Sequence, residues 1–170
     1  KFTAPELTGT LAVLGAELLL DVIPKWLRGD ITSQPQDDSH ATFAKILKRE
    51  DGKIDWAKSA GEIERQVRAF LAWPGTYTFW KKNSHEVRLG IVSAEVSGDI
   101  GQAPGRPIGM VFETEGRMAV ATGRDILIVH ELTPGGKRQM SGEAFLRGHR
   151  DILGAVLNRH IVPNPGSSST

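Results

Sequence analysis

The sequence contains no cysteine. Disulfides, thiolate nucleophiles and every zinc site that needs a Cys ligand are therefore excluded, and the composition fits a reducing compartment. An excess of charge of one sign is also missing. With 21 Lys and Arg against 20 Asp and Glu, the chain is no polycationic nucleic-acid coat, although such a sum leaves room for a local basic patch. Long apolar runs are absent too: the longest stretch, 18–23, is interrupted by Asp21 and falls far short of the ~20 residues of a membrane span. No signal-peptide pattern opens the chain. The 5 histidines fall in no H-E-x-x-H or other metal spacing. No serine sits in a G-x-S-x-G elbow, and the glycines of 98–109 match no phosphate-binding template, which makes that stretch an inter-strand loop.

What remains is an ordinary folded chain. Its 170 residues, 39% apolar and 24% charged, suit one domain or a small barrel with an appended helical segment. It opens on Lys1 rather than Met, and a helix signal follows almost at once, which is expected of a piece of a longer chain. Thr3-Ala4-Pro5-Glu6 has the form of a capping box. Leu7, Leu11, Leu14 and Leu18 then form one apolar stripe, so a helix is expected over 4–28, kinked near Pro24 and ended by Gly29.

Residues 30–58 lack sustained periodicity and read as a linker with at most a short helix over 41–47. Ser59-Ala60-Gly61-Glu62 is a second capping box. Ile63, Val67 and Phe70 mark the buried face of the helix it starts, and Trp73-Pro74-Gly75 turns the chain. From Thr76 the period becomes strand-like. Strands are expected at 76–80 and 87–93 around a Lys81 to Ser84 turn, and at 108–114, 118–121 and 125–132. A closing helix is expected over 141–157 and a disordered tail from 161 to 170. The fold class is accordingly α+β, mainly β: an N-terminal helix (1–29) and a linker (30–58), then a small OB-like antiparallel β-barrel with flanking helices (59–160).

Basic residues cluster around this barrel. Lys45, Lys48, Arg49 and Lys53 lie in the linker, Lys81 and Lys82 at the hairpin tip, and Arg65 and Arg68 on the short helix. Toward the end, Lys137, Arg138, Arg147, Arg150 and Arg159 outnumber Glu143 and Asp151. Several such clusters on one small barrel point to a polyanion surface.

Motifs in order along the chain sharpen this reading. They are Leu14-Gly15-Ala16-Glu17-Leu18-Leu19-Leu20, Pro35-Gln36-Asp37, Ala41-Thr42-Phe43-Ala44, Ile54-Asp55-Trp56, Val67-Arg68-Ala69-Phe70, Trp73-Pro74-Gly75-Thr76-Tyr77, Val120-Ala121-Thr122-Gly123 and Gly136-Lys137-Arg138-Gln139-Met140. Together they resemble the C-terminal part of the methionyl-tRNA formyltransferase family over about 6–157. Phe43, where a Tyr is usual, and Leu71-Ala72 before Trp73 depart from its pattern. The resemblance implies that 1–29 is the last helix of a Rossmann-like catalytic domain lying upstream. That domain would take a formyl group from 10-formyltetrahydrofolate and deliver it to methionine on initiator methionyl-tRNA, in the cytoplasm and without a membrane partner. Asn83-Ser84-His85 copies the start of the family's catalytic Asn-x-His motif, but not the Ser-Leu-Leu-Pro that follows it, so no catalytic residue and no cofactor are expected in this chain.

Lys45, Lys48, Arg49, Lys53, Lys81, Lys82, Lys137 and Arg138 are the expected contacts to the tRNA backbone. Trp56, Trp73 and Met140 are expected in the core, and Trp80 is undecided. The alternative is the barrel of a related enzyme that uses 10-formyltetrahydrofolate, either an amino-sugar-nucleotide formyltransferase or a formyltetrahydrofolate dehydrogenase or hydrolase.

Overall fold

A computed structural model describes residues 1–97 and 105–158. The expected tail 161–170, the end of the barrel at 159–160 and most of the 98–107 loop lie outside the described residues. Helix α1 spans Ala4–Leu27 and starts as its sequence dictates, with the Thr3 backbone N–H donating to Glu6 Oε2 at 2.8 Å and the Thr3 hydroxyl at 2.9 Å. None of its residues is buried. Its N-terminal end is tied to the rest of the chain by Lys1, 3.4 Å from Glu64, and by Arg68, which donates to the Phe2 carbonyl. By length and composition alone α1 is long and apolar enough to cross a membrane, with a mean hydropathy of 1.6 over 18 residues. The 18–23 run understates this, because Ala12, Val13, Leu14 and Ala16 extend the apolar stretch upstream.

No helix forms over 41–47. Phe43 is fully exposed and Ile46 is 89% exposed, so the segment has nothing to bury an apolar face against, and a short helix without packing does not hold. Two 3₁₀ turns form nearby instead, Asp38–His40 and Arg49–Gly52. The second is fixed by Asp51, which accepts from the Lys48 backbone N–H at 2.8 Å and from Lys45 Nζ at 2.5 Å. From there the chain joins the core. Ile54 and Trp56 are buried, the Ile54 N–H donates to the Tyr77 carbonyl at 2.8 Å, and Trp56 Nε1–H donates to the Thr78 hydroxyl at 3.0 Å.

Helix α2 (Ala60–Ala69) begins at the Ser59–Glu62 capping box and buries Ile63 and Val67. Arg68, one of the basic residues of this helix, does not reach freely into solvent. The side chain instead lies along α2 against the buried Glu64, 2.8 Å away, because the i,i+4 spacing brings them together.

Six strands follow among the described residues: β1 (Thr76–Lys82), β2 (His85–Ser97), β3 (Val111–Thr114), β4 (Arg117–Ala121), β5 (Ile126–Pro134) and β6 (Met140–Ser141). All pairs are antiparallel, in the order β1-β2-β5-β4-β3, with β6 on β5. The β3–β4 turn is built by Glu115 and Gly116 at φ 49° and 75°, the two positive values that a tight hairpin needs. Register shifts between Ile91 and Ala94 bend the long β2, and the sheet curls into a half-barrel. β4 and β5 run through its middle, with Ala119, Val120, Leu127 and Ile128 wholly buried.

The expected closing helix is cut short. Helix α3 covers only Gly142–Gly148, a 3₁₀ turn follows at Arg150–Ile152, and the chain then runs extended. His149 at φ −140° and ψ 59° breaks the helix, and Gly154 at φ 82° turns the chain back along the sheet. This return closes the barrel. On the β3 side the Val111 N–H donates to the Ala155 carbonyl and the Leu157 N–H to the Gly109 carbonyl, both at 2.9 Å. On the β1 side the Asn158 N–H donates to the Phe79 carbonyl at 2.8 Å. The Asn158 side chain completes the seam by donating to the Ile54 carbonyl at 2.6 Å and accepting from the Phe79 N–H at 3.0 Å. Asn158→Ala removes these bonds and places alanine at φ 58°, so a loss of roughly 2–3 kcal/mol in urea unfolding is expected.

Candidate nucleic-acid interface

Strand alternation sorts the side chains of β1. Thr78 and Trp80 point into the barrel, where Trp80 is 2% exposed and meets Phe145 edge-on at 6.0 Å. Tyr77, Phe79 and Lys81 share the other face. Tyr77 and Phe79 stand edge to face at 5.6 Å, and across the hairpin Phe79 pairs with Arg88 and Lys81 with Glu86. The Arg88 guanidinium lies over the Tyr77 ring at 4.2 Å and Lys53 Nζ stands 5.8 Å from the Phe79 centroid, so cations cover the outward faces of both rings. Arg49, Trp73 and Pro74 complete a groove of about 550 Å³ with Tyr77, Phe79 and Arg88. No carboxylate among the described residues lines it.

Six of the eight expected contacts divide between two regions. Arg49 lines this groove and Lys53 stands beside it at the Phe79 ring, with Lys81 further along the same strand face. Lys82, one residue on, points the other way: its Nζ lies 2.9 Å from Asp151, 3.5 Å from His149 Nδ1 and 5.0 Å from the Trp80 ring. Lys137 belongs with this second group, since its charge acts on His149, while Arg138 is exposed beside it in the β5–β6 turn. Lys45 and Lys82 each have a carboxylate partner, which offsets part of their positive field; the Lys48 side chain is exposed. Trp56 and Trp80 lie in the core and Met140 packs against it, whereas Trp73 is 54% exposed. Its place at the end of α2 made it look like core; the turn that follows carries it outward instead.

Arg88 was not singled out in the sequence, nor were the half-buried Phe79 and the buried Tyr77 beneath the guanidinium as part of this face. The signal was present, because a hairpin turning at Asn83-Ser84 makes Arg88 the partner of Phe79. Asn83-Ser84-His85 itself occupies that exposed turn, with Asn83 at φ 54°.

His149 carries the most informative titration. Burial first, then the Lys82 and Lys137 charges, push its pKa below the usual 6.5, with Asp151 opposing. The unfolded chain therefore takes up this proton at a higher pH than the folded one. The neutral ring's contribution to stability is present above about pH 6.5 and is lost as the pH falls through that value toward the lower folded pKa. Urea midpoints should fall between pH 7 and 5, and His149→Gln should flatten that part of the profile.

A small antiparallel barrel with a basic and aromatic outer face defines an OB-like domain class. Residues 46–150 match the model of the family "Formyl transferase, C-terminal domain", and the chain belongs to that family. It is 44% identical over 151 residues to a methionyl-tRNA formyltransferase of Chloroflexus aurantiacus, covering 88% of this chain and 47% of that protein. It is 46% identical over 143 residues to that of Chloroflexus aggregans, covering 84% and 44%, and 36% identical over 154 residues to that of Carboxydothermus hydrogenoformans, covering 91% and 48%. The chain thus spans about half the length of the curated relatives it matches. Among solved structures, a variant of HypX from Aquifex aeolicus shares the fold, with a TM-score of 0.53 at 17% identity over 79% of this chain and 23% of that one.

Proposed function

We propose that this chain is the tRNA-holding C-terminal part of a cytoplasmic methionyl-tRNA formyltransferase. It grips the phosphate backbone of initiator methionyl-tRNA while a preceding Rossmann-like domain, of which α1 is the last helix, transfers the formyl group of 10-formyltetrahydrofolate to the methionine amino group. The observation that carries this is the 44% identity, sustained over 88% of the chain, to a protein of that name. The groove of Arg49, Trp73, Tyr77, Phe79 and Arg88 supports it as a cationic surface free of carboxylates among the described residues. Holding the backbone of a large substrate contributes to catalysis at a remote amino group by fixing its position, and phosphate contacts serve that purpose without reading sequence.

The reading is tested by tRNA binding to the 170-residue chain across a salt series. Log K is expected to fall by roughly 0.7–0.9 per decade of salt for each phosphate neutralised, with little preference among tRNA sequences. Binding unaffected by neutralising Arg49, Lys81 and Arg88 would favour the barrel of a related formyltransferase. The same chain, supplied with methionyl-tRNA and 10-formyltetrahydrofolate, is expected to yield no formylmethionyl-tRNA, as measured by release of labelled formylmethionine. Turnover would place catalytic residues within these 170.

A further inference from the structure

Trp73 is a large ring left more than half uncovered beside the barrel, and the backbone that presents it is held against the turn that presents Arg49. Gly52, at the end of that turn, lies so close to Gly75 that a Cβ on Gly52 would stand 2.0 Å from the Gly75 carbonyl oxygen. The Gly75 N–H in turn donates to the Phe70 carbonyl at 2.8 Å, anchoring the Trp73-Pro74-Gly75 bend to the end of α2. In the same groove the Arg88 guanidinium stacks over the Tyr77 ring at 4.2 Å. An indole 54% exposed, two guanidinium groups in the lining and about 550 Å³ of space without a carboxylate among the described residues therefore form a site assembled before any ligand arrives.

A flat apolar surface beside two planar cations matches a ligand that carries a π face and an adjoining anion. A nucleotide has both. A base-paired duplex presents phosphates but keeps its base faces stacked inside, so Trp73 would have nothing to cover. We propose that this groove holds one unpaired nucleotide of the bound tRNA, its base lying on the Trp73 indole and its phosphate between Arg49 and Arg88. This rests on the tRNA-holding reading above and adds to it a site selective for unpaired RNA.

The test compares a ten-nucleotide single-stranded RNA with a blunt ten-base-pair RNA duplex, titrated against the 170-residue chain and its Trp73→Ala, Trp73→Phe and Arg88→Gln variants. Trp73→Ala is expected to weaken single-strand binding by about 5- to 100-fold while leaving duplex affinity and both salt slopes unchanged. Trp73→Phe should keep most of the affinity but lose the tryptophan quenching that the single strand produces, and unchanged urea midpoints establish that both variants fold. Arg88→Gln should lower the single-strand salt slope by about 1. The nucleotide site is overturned if Trp73→Ala changes neither affinity, if it weakens strand and duplex equally, or if an acidic peptide competes as well as RNA. In those cases a salt slope reduced by Arg88→Gln leaves the tRNA reading standing. Absence of RNA binding by the unaltered chain at any salt overturns both.

Discussion

Gly123→Ala is expected to destabilise the barrel by about 3 kcal/mol and to lower its melting temperature by roughly 6–12 °C. An added Cβ would stand 1.8 Å from the Ala57 carbonyl oxygen and 3.3 Å from that of Lys58, so the backbone itself must move. That backbone is already committed: the Gly123 N–H donates to the Trp56 carbonyl at 2.9 Å and to the Lys58 carbonyl at 3.0 Å, and the Ala60 N–H donates to the Arg124 carbonyl at 2.9 Å. Displacing the 56–60 segment disturbs the buried Trp56 and the start of α2 together. Gly148→Ala serves as the control. It has no atom within 4 Å of the added Cβ and no positive φ, and it should shift stability by no more than about 0.5 kcal/mol. Differential scanning calorimetry of the two variants checks the contrast.

The second large effect is on binding. Replacing Arg49, Lys81 and Arg88 together by Gln is expected to reduce tRNA affinity about 100-fold near 0.1 M salt and to flatten the log–log salt slope by about 2 to 2.7. These residues lie on one sheet face or in the groove beside it, so their losses should act on one stretch of backbone. Replacing Lys82 should cost less, because Asp151 at 2.9 Å already offsets its charge. Fluorescence titration with labelled tRNA distinguishes the two sets.

Much of the fold was legible because local chemistry decided it. Both capping boxes formed where Thr3 and Ser59 announced them, and α1, α2 and the β1–β2 hairpin follow from periods of 3.6 and 2. What escaped depended on contacts between distant parts of the chain. Residues 153–158 have an ordinary helix-compatible composition, and only Gly154 hinted that they would return as the strand-like strip that closes the barrel. The same holds for the surface. Basic residues could be counted along the chain, but whether Lys81 and Lys82 act together was decided by the strand's alternation, which sends them to opposite faces. Trp73 escaped for a related reason, since exposure of a bulky ring is settled by what the rest of the fold does or does not lay over it.

The most direct measurement is the equilibrium affinity of the 170-residue chain for tRNA as a function of salt concentration. If the barrel holds the tRNA backbone, log K falls linearly against log salt with a slope of roughly −2 to −4, and the Arg49, Lys81 and Arg88 triple variant loses most of that slope. An affinity that does not change with salt, or a slope untouched by the triple variant, contradicts it.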